Sequence, residues 1–147
     1  MRLEERTAIP HLVARGGGAI VNIASIAGLL PTTGLPAYGA AKAGVIHLTR
    51  TLARELAPAK IRVNAICPGL VWTRAWERLG AFLGERTPEL AGIEPRQVFL
   101  AMVAQQVPLG VEQMGRLAVF LASADAATIT GQAISVDGGI TLGPPVV

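Results

Sequence analysis

A chain of 147 residues, 51% hydrophobic and only 16% charged, is one domain's length or part of one, and its composition argues against disorder. The formal net charge of +3 is scattered from Arg2 to Arg116 with no basic cluster interleaved with aromatics, so no nucleic-acid surface is expected. The single cysteine, Cys67, excludes an internal disulfide and has no metal-ligand spacing around it, and no apolar run reaches the ~18 residues of a membrane span. Arg2, Glu4, Glu5 and Arg6 do not fit a signal peptide, so a soluble cytoplasmic protein is the expectation.

In chain order, residues 1–15 read as a helix with Leu3, Ala8, Leu12 and Val13 as its apolar positions, although Pro10 falls inside it. Gly16 to Gly18 end it. Residues 19–24 form an apolar run without alternation, which suits a parallel strand covered on both faces. Asn22 interrupts the run and reads as a structural hydrogen bonder. Pro31, Gly34 and Pro36 mark a loop. Residues 38–56 read as the longest helix, with Ala41, Val45, Leu48, Leu52 and Leu56 as its apolar stripe and Pro58 as its stop. Small residues at Ala40, Ala43 and Gly44 leave room for another helix or a cofactor. A second buried strand spans 61–66, where Pro68 ends the ladder and Gly69 lets backbone approach a ligand.

Residues 74–106 carry Trp76, Phe82, Leu83, Phe99 and Met102, while Gly80, Gly84, Pro88, Gly92 and Pro95 break them into short helices. A helix over 112–123 presents Met114, Leu117, Ala118 and Leu121 on one side. A third strand, Ala133–Val136, is closed by Asp137-Gly138-Gly139, and residues 143–147 read as a loose tail. Strand, helix, strand, helices, strand is half of a doubly wound α/β sheet. A complete one has two βαβ halves and a Gly-rich first turn that cradles a pyrophosphate. Gly16-Gly17-Gly18 does not replace that turn, because it precedes a strand.

Three side chains stand out. Ser25 ends the first strand, Tyr38 opens the long helix, and Lys42 lies four residues on, sharing a helix face with Tyr38. A free tyrosine phenol titrates near pH 10, and an ammonium within a few ångström favours a phenolate. A serine hydroxyl beside them can hold an oxygen in line. This chemistry suits proton transfer to a carbonyl or from an alcohol, a contribution of roughly 10²–10⁴-fold. The bland alternatives are a common Tyr-x-x-x-Lys pair and a turn serine. For Cys67 the reading is inert core.

Asn22-Ile23-Ala24-Ser25, Tyr38-Gly39-Ala40-Ala41-Lys42-Ala43-Gly44, Arg62-Val63-Asn64-Ala65-Ile66-Cys67-Pro68-Gly69, and Thr130-Gly131-Gln132 with Val136-Asp137-Gly138-Gly139 occur in this order. Together they resemble the C-terminal half of a short-chain dehydrogenase/reductase related to 3-oxoacyl carrier protein reductases. The resemblance implies an α/β fold: half of a doubly wound Rossmann-type sheet, with about three parallel strands, flanking helices and no N-terminal βαβ half. It implies one partial domain over 1–147, with 74–111 as a substrate lid. It makes Tyr38 the acid/base, Lys42 its charged neighbour and ribose ligand, and Ser25 the substrate-orienting hydroxyl. NAD or NADP would bind against Tyr38, Lys42, Pro68 and Gly69, with Val71 offering backbone to the carboxamide and Thr73 a hydroxyl, a role compatible with its other reading as a helix N-cap. The substrate would be a small carbonyl or secondary alcohol.

Against the family pattern, no Gly-x-x-x-Gly-x-Gly or Asn-Asn-Ala-Gly occurs, and the asparagine of the catalytic tetrad would fall before Met1. Pro108-Leu109-Gly110-Val111-Glu112 is about four residues shorter than usual, which would alter the lid hinge. The first strand is left with an unpaired apolar edge, which invites another chain. Three readings follow: an oxidoreductase, a truncated relative that pairs with itself or with a full-length partner, and an inert fragment.

Overall fold

Among the described residues, 61–68 are the most deeply buried stretch, and the architecture is arranged around them. The computed structural model describes residues 3–73 and 95–143. It contains α1 (Leu3–Ala14), β1 (Gly18–Ile23), α2 (Pro36–Leu56), β2 (Ile61–Pro68), α3 (Pro95–Met102), α4 (Val111–Ala122) and β3 (Ala133–Val136). The three strands form one parallel sheet in the order β1-β2-β3. This is α/β architecture with helices on both faces, as the sequence pattern requires.

β2 is central, and both its faces are covered. Ile61 and Val63 pack with Leu52 and Ala53 of α2 and with Ile9 and Leu12 of α1. Ala65 and Cys67 pack with Ala24 and Ile46. On the opposite face Ile66 packs with Leu121 and with Met114, Leu117 and Ala118 of α4. Each such aliphatic side chain contributes about 1.5–3 kcal/mol on full burial, which makes β2 the largest single source of cohesion.

Several sequence expectations are corrected in detail. α1 does contain Pro10, as expected, but its core-facing residues differ. Ile9 and Leu12, rather than Ala8 and Val13, face the core, and Val13 is half exposed. α2 begins at Pro36, two residues before Tyr38, because proline at the first helical turn gives up an N–H that has no partner there. Its inner face carries Val45, Ile46, Leu48, Thr49, Leu52, Ala53 and Leu56, while Ala41 is exposed. Thr49 is buried because its hydroxyl donates to Val45 O at 2.8 Å and accepts from Asn22 Nδ2 at 3.0 Å. That bond also gives Asn22 the structural role expected of it.

β2 continues two residues past Ile66, through Pro68. Alternate residues of a strand between two parallel neighbours bond to opposite sides. Ala65 donates to Gln132 O at 2.7 Å and Gly69 to Val136 O at 3.0 Å, so odd-numbered residues of β2 serve β3. The missing donor of Pro68 therefore faces β1, whose register ends at Ile23↔Ile66. The β3 ladder runs on to Pro68↔Val136. α4 begins at Val111, where Gln113 Oε1 accepts from Gly110 N at 3.0 Å. The expected helices over residues 74–94 and the tail beyond Gly143 lie outside the described residues.

Asn64 is fully buried, donating to Ile129 O at 2.8 Å and accepting from Gln132 N at 3.0 Å. It ties the loop before β3 to the central strand. Asn64→Ala leaves both backbone groups without that partner and is expected to cost about 1–3 kcal/mol. A urea titration should show a lower midpoint at unchanged slope.

Candidate functional site

The site lies where β1 and β2 end and α2 begins. Ser25 follows β1 in extended backbone and caps the 3-10 turn Ile26–Gly28, its Oγ accepting from Ala27 N at 3.2 Å. The turn role open to Ser25 is thus filled, and the hydroxyl keeps its own proton to donate. Ser25 is buried at 9% exposure.

Tyr38 stands in the first turn of α2 and is 45% exposed. Lys42, one turn on, holds its Nζ 5.7 Å from the centre of the Tyr38 ring. The same Nζ donates to Ile23 O at 3.0 Å. Lys42 therefore links the end of β1 to the first turn of α2, two residues before Ser25. Ser25 and Tyr38 are not hydrogen-bonded to one another.

Two glycines set the approach of the Ser25 turn to the helix. A Cβ at Gly28 would lie 2.6 Å from the carbonyl carbon of Lys42, and one at Gly39 would lie 3.0 Å from Ala27 O. The backbones can meet only because these side chains are absent. Ala40, Ala43 and Gly44, singled out in the sequence as leaving room, are exposed, and a Cβ at Gly44 meets nothing within 4 Å.

Pro68 and Gly69 continue from β2 to the same end of the sheet. Gly69 is also held free of a side chain by the fold itself. A Cβ there would lie 2.7 Å from both Cα and Cβ of Asp137, so an internal contact excludes a side chain. Val71 is buried, donates its N–H to Gly69 O at 3.1 Å, and forms a parallel bridge with Leu109. That bridge fixes the point from which Gly110 turns into α4. Thr73 is half-buried, and the helix it would cap, over 74–83, lies outside the described residues.

Asp137 was quoted in the sequence only as part of a motif. Its Oδ1 accepts from Gly139 N at 3.0 Å and its Oδ2 from Thr141 N at 2.9 Å, which locks the turn after β3 against Gly69. Burial pushes its pKa up, but hydrogen bonds from Thr141 and Gly139 outweigh burial and hold the carboxyl below the ordinary carboxylate value. Cys67 is fully buried, and burial raises its thiol pKa against a lowering hydrogen bond from the Ser25 backbone. The thiol is core.

A cavity of about 510 Å³ lies away from this site, at the N-terminal ends of the strands between Gly18, Lys60, Arg62 and Ser123. Arg62 donates there to Leu121 O and Ser123 O, and the Ser123 hydroxyl donates to Phe120 O. Its polar groups are largely spent on the fold, and Ser25, Tyr38 and Lys42 lie at the other end of the sheet. Among the described residues no cluster of three or more His, Cys, Asp or Glu could hold a metal ion, and no helix is long and apolar enough to cross a membrane.

A parallel three-stranded sheet in the order β1-β2-β3 with helices on both faces is half of a doubly wound α/β fold. Residues 5–141 match the family described as Enoyl-(Acyl carrier protein) reductase, and the chain belongs to the short-chain dehydrogenase/reductase family. It is 43% identical over 131 residues to the probable galactose dehydrogenase GalD of Rhizobium meliloti, covering 89% of this chain and 47% of that protein. It is 37% identical over 138 residues to the 3-oxoacyl-acyl-carrier-protein reductase FabG of Thermotoga maritima, covering 91% of this chain and 50% of that one. Among solved structures, L-sorbose reductase from Gluconobacter frateurii, complexed with NADPH and L-sorbose, superposes with a TM-score of 0.79 at 34% identity over 92% of this chain and 52% of that one. The chain thus spans about half the length of the relatives it matches, and the matched half is the C-terminal one.

The depressed Asp137 pKa carries a definite sign. Its contribution to stability is present above the unfolded value of about 3.9 and is lost as pH falls through that value towards the folded one. Asp137→Asn should lower the urea midpoint at pH 7, and the gap from the wild type should shrink below pH 4. A gap independent of pH would contradict this assignment.

Proposed function

We propose that the chain is the catalytic half of a dehydrogenase that moves hydride between NAD(P)(H) and a carbonyl or secondary alcohol, incomplete as an isolated polypeptide. The observation that carries this reading is the position of Lys42, which is held at Ile23 O at 3.0 Å and lies 5.7 Å from the Tyr38 ring centre. An ammonium has three donors, and Ile23 O takes one. Two remain for the vicinal hydroxyls of a ribose, so the donor set fits a nicotinamide nucleotide. Pro68 and Gly69 would form the wall beside its ring. Because the N–H of Val71 is spent on Gly69 O, Val71 would meet the carboxamide through its carbonyl, and Thr73 would add a hydroxyl.

A bound nicotinamide supplies the hydride donor or acceptor. The rest belongs to this chain. Ser25, whose Oγ already accepts from Ala27 N, donates its proton to the substrate oxygen and orients it. Tyr38 gives a proton to the carbonyl oxygen as the alcohol forms and takes it back in the reverse direction. Lys42 stabilises the phenolate left behind. Residues 1–147 act here as one partial domain, with 74–111 as its lid; Trp72, Leu100, Val103 and Leu109, around a small cavity beside Val71, give that side an apolar lining.

The reading is tested by fusing the chain behind the N-terminal half of the Thermotoga maritima reductase, the part that precedes its match. The fusion should bind NADH or NADPH and reduce small ketones. In it Tyr38→Phe should lower kcat by roughly 10²–10⁴-fold while leaving nicotinamide fluorescence titrations unchanged. Undiminished turnover in a folded Tyr38→Phe fusion would overturn the assignment.

A further inference from the structure

The turn after β3 meets two parts of the chain at once. Asp137 packs against Gly69, where a Cβ would lie 2.7 Å from both its Cα and its Cβ. The next two residues meet the segment that follows α3. A Cβ at Gly138 would overlap Cγ1 of Val103, and one at Gly139 would lie 2.9 Å from Cβ of Ala104. Gly138 O accepts from Gln105 N at 3.0 Å, which fixes the register of this contact. Gly138 and Gly139 have φ values of 62° and 91°, a backbone that glycine adopts without steric cost. The Asp137 carboxylate holds that backbone through Gly139 N and Thr141 N. The segment 103–109 has a second tie, because Leu109 bridges to Val71 and its carbonyl accepts from Trp72 N at 3.2 Å. Val103 is 3% exposed and lines a small cavity with Leu70, Trp72, Leu100 and Leu109.

We propose that Gly138 and Gly139 are positioning residues: they seat residues 103–105, and so set the spacing between the nicotinamide wall at Pro68 and Gly69 and the apolar substrate wall at Leu100 and Val103. The inference rests on the function proposed above. One short turn serves both walls, since Asp137 meets the first and the two glycines meet the second. The nicotinamide wall has its own bond, Gly69 N to Val136 O at 3.0 Å. A methyl group added at Gly138 therefore displaces the substrate wall. Val103 is buried and closely packed, so the strain is relieved by a shift of the 103–105 segment. The glycines act through Val103 and Ala104 and do not themselves touch the substrate.

The test uses the fusion with the N-terminal half of the Thermotoga maritima reductase. Gly138→Ala should raise the substrate KM by about tenfold or more and leave the nicotinamide titration unchanged. Val103→Ala in the same molecule removes the methyl groups in the way and should recover most of that loss. A glycine needed only for folding would show no such rescue. Ala104→Val loads the same contact from the other side without altering the turn, so it should raise KM even where Gly138→Ala does not fold. An unchanged KM in the folded variants, an equal loss of nicotinamide affinity, or a failed rescue would overturn the proposal. A fusion without turnover would count against the catalytic reading alone. The seat is then judged in the 147-residue chain, where Ala104→Val should speed amide exchange at Gln105 by about tenfold or more. Unchanged exchange there would overturn it.

Discussion

Burial of β2 on both faces is the constraint on which the rest of the structure depends. Val63, Asn64, Ala65, Ile66 and Cys67 are fully buried, and α1, α2 and α4 all contribute side chains to the clusters built on this strand. A strand this deep tolerates a polar side chain only when its hydrogen bonds are made internally. Asn64 meets that condition through Ile129 and Gln132, and Thr130 Oγ1 accepts from Val63 N at 3.1 Å. These bonds fix the start of β3, and so the position of Asp137 against Gly69.

With β2 fixed, the site follows from how the chain leaves the strands. The Ser25 turn and the first two turns of α2 meet backbone to backbone at Gly28 and Gly39. That contact sets the distance between strand end and helix start. Lys42 spans it with one hydrogen bond and keeps two donors in reserve. Holding an ammonium at a strand-end carbonyl costs some of its freedom, but leaves its charge beside the phenol before any ligand arrives. Preorganisation of this kind is what makes charged groups effective in a site.

Much of this was legible in the sequence, for physical reasons. Tyr38 and Lys42 share a face because four residues make slightly more than one helical turn. Ala133–Val136 was bounded correctly because a short apolar run ended at Gly-Gly. Asn22 was read as a structural bonder because a buried amide needs a partner. What was missed depended on contacts distant in sequence. The burial of Thr49 needs Asn22, 27 residues away. The close approach of Asp137 to Gly69 is likewise a contact that no local pattern shows. Pro68 was read as ending the ladder outright, and only the alternation of bonds shows that it ends the β1 side and spares the β3 side.

The described residues form a half-sheet that folds around β2 and leaves β1 at its edge. Amide hydrogen exchange of the isolated chain, followed residue by residue by NMR, tests it most directly. The account predicts slow exchange at Val63 and Ala65. It also predicts that Val21 and Ile23 exchange on the order of 10²-fold or more faster than Ile20, Asn22 and Ala24. Equal protection at odd and even positions of β1, or none in β2, would contradict it.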